Sequence, residues 1–326
     1  MKAWEVRAGT VGLHDVAPDE PHGGETVVRV THVGLCGSDR PKLLRPDRYP
    51  LPPRWRPGHE IVGLGPDGRA VVVDPLVPCE ACRDCAAGDT HLCPRLRRVG
   101  WDLPGGFAEQ VVVPARNVRL LPPGTAPPAM TLADPAAVAV HGLRCAGIGA
   151  PGRLAVVGAG PIGRLSALWA QAHGWRVVTV HGGDHSPDAP VAVPVMSRSA
   201  ESALEQDRFD LVVDAASGGD QAPLDLALRL VKDGGTVVVQ NAYAPGVRLG
   251  TPLRDLFRRS IRLVGSFSYC RRPPGDLELG LELLRDHQDL VAEVIRDSQS
   301  FDLLDELDHP VRHVRTVLSV PSDRRP

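Results

Sequence analysis

Two short stretches of this 326-residue chain carry residue types that hold a metal: Cys36-Gly37-Ser38-Asp39 and Gly58-His59-Glu60. A thiolate and an imidazole are ligands zinc takes readily, at about 2.3 Å and 2.0–2.1 Å. Ser38 stands two residues from the thiolate, placed to pass a proton from something bound on that metal. Alone, the pair decides little. A single Cys is more often a small buried hydrophobe, and a single His a satisfied core residue.

Two further patterns give the pair a context. Cys79, Cys82, Cys85 and Cys93 follow a C-x2-C-x2-C-x7-C spacing, which closes a tetrahedral zinc site with no open position, the mark of a structural metal. A zinc ribbon on nucleic acid is disfavoured by the interleaved Glu80, Asp84 and Asp89, because such modules need a basic or aromatic surface. Farther along, the apolar run Arg153-Leu154-Ala155-Val156-Val157 enters Gly158-Ala159-Gly160-Pro161-Ile162-Gly163, then a helical stretch over 164–173 and a second apolar run over 176–180. In that strand–GxGxxG–helix–strand setting Gly158 makes the tight turn, Gly160 admits a pyrophosphate to the backbone, and Gly163 lets helix and strand pack. The helix N-terminus, which opens on Pro161 and Ile162, offers the N–H groups of the residues after the proline to the phosphates.

The elements that must position these residues read as two kinds. Residues 11–16 and 26–33 carry the β-branched strand signal, the latter delivering Cys36. The proline-rich stretch 40–57 reads as a loop, His59 opens a strand, and 69–74 is a buried one. A helix is expected over 136–146, with Asp134 at its N-cap and Pro135 at its first position. Strands at 209–215, 236–239 and 261–265 then alternate with helices at 223–231 and 277–284. The fold class expected is α/β: a doubly wound parallel sheet plus a β-rich domain built from both chain ends. The expected boundaries are residues 1–134, 135–270 and 271–326, with the metal lobe at 79–93.

Composition narrows the function classes. With 37 basic residues against 39 acidic, there is no field to favour nucleic acid or an anionic membrane. No apolar run has the length of a membrane span and the N-terminus has no signal-like apolar region, so the cytoplasm is the expected compartment. Seven Cys in an intracellular chain argue for metal sites over disulfides.

The order Cys36-Gly-Ser-Asp, Gly58-His59-Glu60, four-Cys lobe, Gly158–Gly163 resembles the zinc-containing medium-chain dehydrogenase/reductase family, the alcohol, polyol and threonine dehydrogenases. The resemblance runs over essentially the whole chain, including 105–113 and Gly265-Ser266-Phe267, and its GroES-like domain is the β-rich one. It implies that Cys36 and His59 are catalytic zinc ligands, that Asp134 stands where the family has its third ligand, and that Glu60 approaches or joins the metal. It implies a second zinc on Cys79, Cys82, Cys85 and Cys93, so two per chain, and it makes Ser38 the hydroxyl that takes the substrate proton. Asp39 orients the site. Two departures stand out. Pro41 occupies the position of the family's relay histidine, so the last proton step runs through water or the cofactor ribose. His181, followed by Gly182-Gly183, replaces the acidic residue that grips the ribose, which permits NADP. The cofactor expectation is NAD(P), with the balance toward NADP.

The expected reaction moves a hydride between a secondary alcohol and NAD(P). A Glu60 with an Asp-type third ligand points to polyols, sugars or aminocyclitols, and Arg40, Lys42, Tyr49 and Trp101 offer polar and stacking groups for a hydroxylated substrate. The alternatives are an aldehyde or alcohol dehydrogenase of another substrate class, and a non-catalytic NAD(P)-binding sensor of the same fold. Family members with the four-Cys lobe are commonly homodimers or homotetramers.

Overall fold

In a computed structural model of the chain, residues 1–147, 149–181, 196–199, 208–216, 220–308 and 314–321 are described. They divide into two compact units: Met1–Asp134 with Arg271–Pro273 and Leu284–Pro326, and Pro135–Cys270 with Pro274–Leu283.

The first unit is built on β-sheet. Its largest sheet runs in the order Val118–Leu120, Ala70–Val73, Glu60–Leu64, Glu25–Leu35, Arg315–Ser319, Ile295–Asp297, with Gln110–Pro114 also pairing along Glu25–Leu35. The long central strand explains where Cys36 goes. Val28 and Val30 face the core in one phase, the register then shifts between Val30 and His32, and Val33 and Leu35 face the core in the other. A bulge inserts one residue and flips every later side chain, so Leu35 ends the strand buried and Cys36 begins the turn. Phe107, Ile61, Val111 and Trp55 fill the same core. A smaller sheet joins Thr10–Asp15, Lys2–Arg7 and Arg54–Trp55.

Residues 40–57 are more ordered than the proline content implies: a helix Arg40–Leu44, a 3-10 turn Pro46–Arg48 and the strand Arg54–Trp55. Pro41 sits in the first turn of its helix, where a missing N–H costs no hydrogen bond. Composition hides this because proline punctuates short elements as well as loops.

The second unit carries six parallel strands in the order Met196–Ser199, Arg176–His181, Arg153–Val157, Phe209–Asp214, Val231–Val239, Arg262–Gly265. Leu154, Ala155, Val156, Val212, Val213, Val237 and Val238 are all buried, as expected of strands covered on both faces. The chain steps outward from Arg153–Val157 first to one side and then to the other, so the switch point lies between that strand and Phe209–Asp214. The helix after residue 132 spans Ala133–Cys145, starting earlier than the sequence implies. Asp134 therefore lies in its first turn and is not its cap. Among the described residues, no helix is long and apolar enough to cross a membrane.

Candidate active site and metal centres

Three adjacent strands of the first unit converge on Cys36. The turn that follows it is closed by the Asp39 N–H donating to the Cys36 carbonyl at 3.0 Å, and Ser38 Oγ donates to Cys36 Sγ at 3.3 Å. On the neighbouring strand Glu60 pairs directly opposite Gly34. A Cβ on Gly34 would stand 2.2 Å from Glu60 Oε2, so only glycine leaves room for that carboxylate to turn inward. On the other side, Thr316 pairs with Leu35 and brings in Arg315. Its Nη1 donates to the Leu35 carbonyl at 3.1 Å and its Nε lies 2.9 Å from Glu60 Oε2.

The ligand atoms of Cys36, His59 and Glu60 all lie within 4.8 Å of one another. Asp39 is fully buried, with Oδ2 3.3 Å from His59 Nδ1. Trp101 Nε1 lies 3.3 Å from the same nitrogen. Both contacts are not satisfied at once, since an Nδ1 that carries a proton has nothing to accept with. An imidazole whose Nδ1–H points at a carboxylate presents Nε2 to a metal. The electrostatics fit a cation. Burial raises the Cys36 thiol, but Arg315 and His59 outweigh it and hold the thiol near about 6. Burial lowers the His59 imidazole, yet Asp39 and Cys36 together hold it well above its usual range. Burial drives the Glu60 carboxyl up to about 8, against the opposing pull of Arg315. The charges that keep a proton on His59 also favour a divalent metal among these donors.

Asp134 stands apart from that trio. Burial pushes its carboxyl up to about 6, and it lies in the fields of His59, Glu60 and Arg315. Its oxygens do not join the group within 4.8 Å, where Glu60 is the acidic member. Arg315 is the residue that sequence reading missed. The available signal was a lone arginine opening an apolar run, Arg315-Thr316-Val317-Leu318, with nothing in the sequence to name its partner.

The four-Cys lobe closes on itself. The sulfurs of Cys79, Cys82, Cys85 and Cys93 all fall within 4.8 Å, with Cys79 to Cys85 at 3.9 Å and Cys82 to Cys85 at 3.4 Å. A tetrahedral zinc with sulfur at about 2.3 Å sets neighbouring sulfurs about 3.8 Å apart, so these spacings suit one. The Ala81 backbone N–H, with help from Arg95, lowers the Cys79 thiol to about 6. Arg271 fastens the lobe to the sheet through Asp74 at 2.9 Å and Glu80 at 3.2 Å.

In the second unit Gly158 ends the first strand with φ +110°, and a Cβ on Gly163 would stand 2.0 Å from the Gly158 carbonyl oxygen. The turn thus needs both glycines. Gly160 caps the helix Pro161–Ala172, whose first position is Pro161, followed by Ile162. This is the strand–turn–helix frame that cradles a pyrophosphate. His181 ends the second strand. Its side chain, and the 182–195 segment after it, lie outside the described residues.

Of the loop residues, Arg40 is engaged elsewhere: its guanidinium donates to the carbonyls of Glu306 and Leu307, at 3.1 and 2.8 Å, at the end of the helix Leu303–Asp308. Trp101 lies beside His59, and Lys42 sits over the Trp101 ring, with the Tyr49 ring 6.0 Å away.

Comparison with known proteins bears on the family. Residues 22–123 match the alcohol dehydrogenase GroES-like domain. The chain is 34% identical over 293 residues to D-altritol 5-dehydrogenase of Agrobacterium fabrum, covering 84% of this chain and 86% of that one. It is 31% identical over 269 residues to L-galactonate-5-dehydrogenase of Escherichia coli, 76% of each chain. Among solved structures, a putative zinc-binding dehydrogenase from Sinorhizobium meliloti bound to NADP superposes with a TM-score of 0.84 at 25% identity, covering 98% of this chain and 99% of that one.

Proposed function

This chain belongs to the zinc-containing medium-chain dehydrogenase/reductase family, and we propose that it oxidises a secondary hydroxyl of a polyol or sugar acid, passing the hydride to NAD(P). The observation that carries the reading is the trio Cys36, His59 and Glu60, whose ligand atoms lie within 4.8 Å of one another, with the Ser38 hydroxyl 3.3 Å from the Cys36 sulfur. Cys36 and His59 hold the catalytic zinc, and Glu60 or Asp134 supplies the third donor. Cys79, Cys82, Cys85 and Cys93 hold a second zinc, which gives two per chain.

Bound zinc supplies Lewis acidity and bound NAD(P) supplies the hydride acceptor. The protein does the rest. Asp39 keeps the proton on His59 Nδ1 and so aims Nε2. Ser38 accepts the proton that leaves the substrate hydroxyl. Pro41 stands where a relay histidine would be, so water or the cofactor ribose carries that proton onward. Gly158, Gly160 and Gly163 hold the pyrophosphate at the start of Pro161–Ala172. His181 offers no carboxylate against a 2′-phosphate, which supports NADP as well as NAD.

Relatives that act on altritol and galactonate support a hydroxylated C6 chain as substrate, and cyclitols and aminocyclitols belong in the same panel. A homodimer or homotetramer fits the reading, since the edge strand Arg262–Gly265 and the helix Leu253–Arg258 leave Leu253, Phe257, Leu263 and Phe267 exposed, side chains of the kind a partner subunit covers; the cytoplasm is the compartment proposed.

The test is reduction of NAD and of NADP by zinc-loaded protein over galactitol, D-altritol, L-galactonate, galactitol 1-phosphate, inositols and aminocyclitols, with ethanol and aldehydes as contrasts. Turnover of one or more hydroxylated chains, well above that of ethanol, is expected. Turnover confined to simple alcohols or aldehydes, or none at all, overturns the proposal.

A further inference from the structure

One side of the site carries a charge the chemistry above leaves unused. Lys42, on the helix Arg40–Leu44, places its ammonium 3.3 Å from the centre of the Trp101 ring and donates to the Ser38 carbonyl at 2.9 Å. Trp101 in turn lies against His59, with ring centres 6.0 Å apart. Arg98 also approaches the Trp101 ring, at 4.6 Å, but it is paired with Asp102 at 3.1 Å. Among the described residues, no carboxylate lies within ion-pair distance of Lys42. Asp39 and Cys36 act on it only through the field, and burial outweighs them, lowering its pKa. An ammonium has three donors. The Ser38 carbonyl takes one, and the indole face accepts charge without accepting a full hydrogen bond.

We propose that Lys42, held in place by Trp101, selects substrates whose hydroxylated chain ends in an anionic group, a carboxylate or a phosphate monoester, over neutral polyols. The inference rests on the polyol reading above and deepens it. A desolvated cation anchored on an aromatic face is held rigidly, so little ordering is needed when an anion meets it. The carbonyl and the indole fix the ammonium next to Ser38 and against the ring that lies beside His59. An anion there gains a hydrogen bond in which both partners are charged, whereas a terminal hydroxyl meets the ammonium as a neutral acceptor. Lys42 is thus a specificity residue that never meets the reacting carbon.

The test uses zinc-loaded protein and three ligands of one carbon skeleton: galactitol, L-galactonate and galactitol 1-phosphate. Two quantities are measured: kcat and KM with NAD(P), and dissociation constants by titration calorimetry without cofactor. Wild type is expected to bind both anionic members more tightly than galactitol. Lys42→Met is expected to lower the anionic-to-neutral ratio of affinities by roughly 10- to 100-fold, with the change in KM and not in kcat. Lys42→Arg is expected to keep most of the preference, and added salt to erode it in wild type but not in Lys42→Met. A loss for only one of the two anions shows which end group the site was built for. An unchanged ratio in Lys42→Met, or a wild-type preference for galactitol, overturns the inference. The two readings fail separately. If no member is oxidised but Lys42-dependent anion binding persists, the polyol function falls and the anion site stands.

Discussion

Arg315 is the residue on which the electrostatics of the active site turn. It is 6% exposed, with Nε 2.9 Å from Glu60 and charges on Cys36, Asp134 and Asp39 all acting on it. Above about pH 8, where Glu60 is ionised, removing one member of this buried charge pair leaves the other uncompensated, at a cost of about 3–5 kcal/mol. Arg315→Met should therefore lower stability by about that amount in chemical denaturation at such a pH. The double variant Arg315→Met/Glu60→Gln should lose less than the sum of the two single changes, because a neutral Glu60 replacement no longer needs a counter-charge. Additive losses would mean that the two side chains act independently. The four lobe cysteines are legible because their spacing alone implies a metal, whereas Cys36 and His59 gain that meaning only beside the lobe and the Gly158–Gly163 turn. Arg315 is silent by comparison, since its partner Glu60 is distant in the chain and only sheet pairing joins them. The inward turn of Glu60 was illegible for a related reason: the carboxylate has room only because Gly34 sits opposite it.

At the scale of elements, Glu5 on the strand Lys2–Arg7 ties the small sheet together. Its carboxylate is 1% exposed and meets Arg7 at 2.6 Å, Arg54 at 2.7 Å and Arg56 at 3.0 Å. Burial raises its pKa, but the hydrogen bonds from Arg54, Arg7 and Arg56 overcome this and hold it at about 2, below the ordinary 4.5. A folded-state pKa below the unfolded one adds stability that is complete above the unfolded value and disappears as pH falls through the folded value. Wild type should accordingly lose stability between about pH 4.5 and 2 through this group, and Glu5→Gln should lose markedly less over the same window while being less stable at neutral pH. Melting temperatures at stepped pH read the difference, and parallel acid profiles would remove Glu5 from the account. Glu5 lies near the start of the chain with only Arg7 close in sequence, and its other two partners come from the proline-rich stretch that composition reads as a loop. Short elements of two to five residues, such as Arg40–Leu44 and Arg54–Trp55, owe their form to tertiary pairing rather than to periodicity. The long apolar strands of the parallel sheet needed no such help, and their parallel arrangement followed from alternation with helices and from the Gly158–Gly163 turn.

At the scale of the whole molecule, the two units divide the work the family requires. One carries both sets of proposed metal donors, and the other carries the Gly158–Gly163 turn. That division was legible because each motif lies in a separate run of sequence. What motif reading left open is the substrate, which depends on side chains such as Lys42 and Trp101 that carry no pattern of their own. The central claim is a catalytic zinc on Cys36 and His59, separate from a structural zinc in the lobe. Its most direct test is zinc content and turnover measured together on wild type and Cys36→Ala. The account predicts two zinc ions per chain in wild type, one in the variant, and turnover abolished while the lobe metal stays. A Cys36→Ala protein that keeps its full zinc content and turns over at the wild-type rate would contradict it.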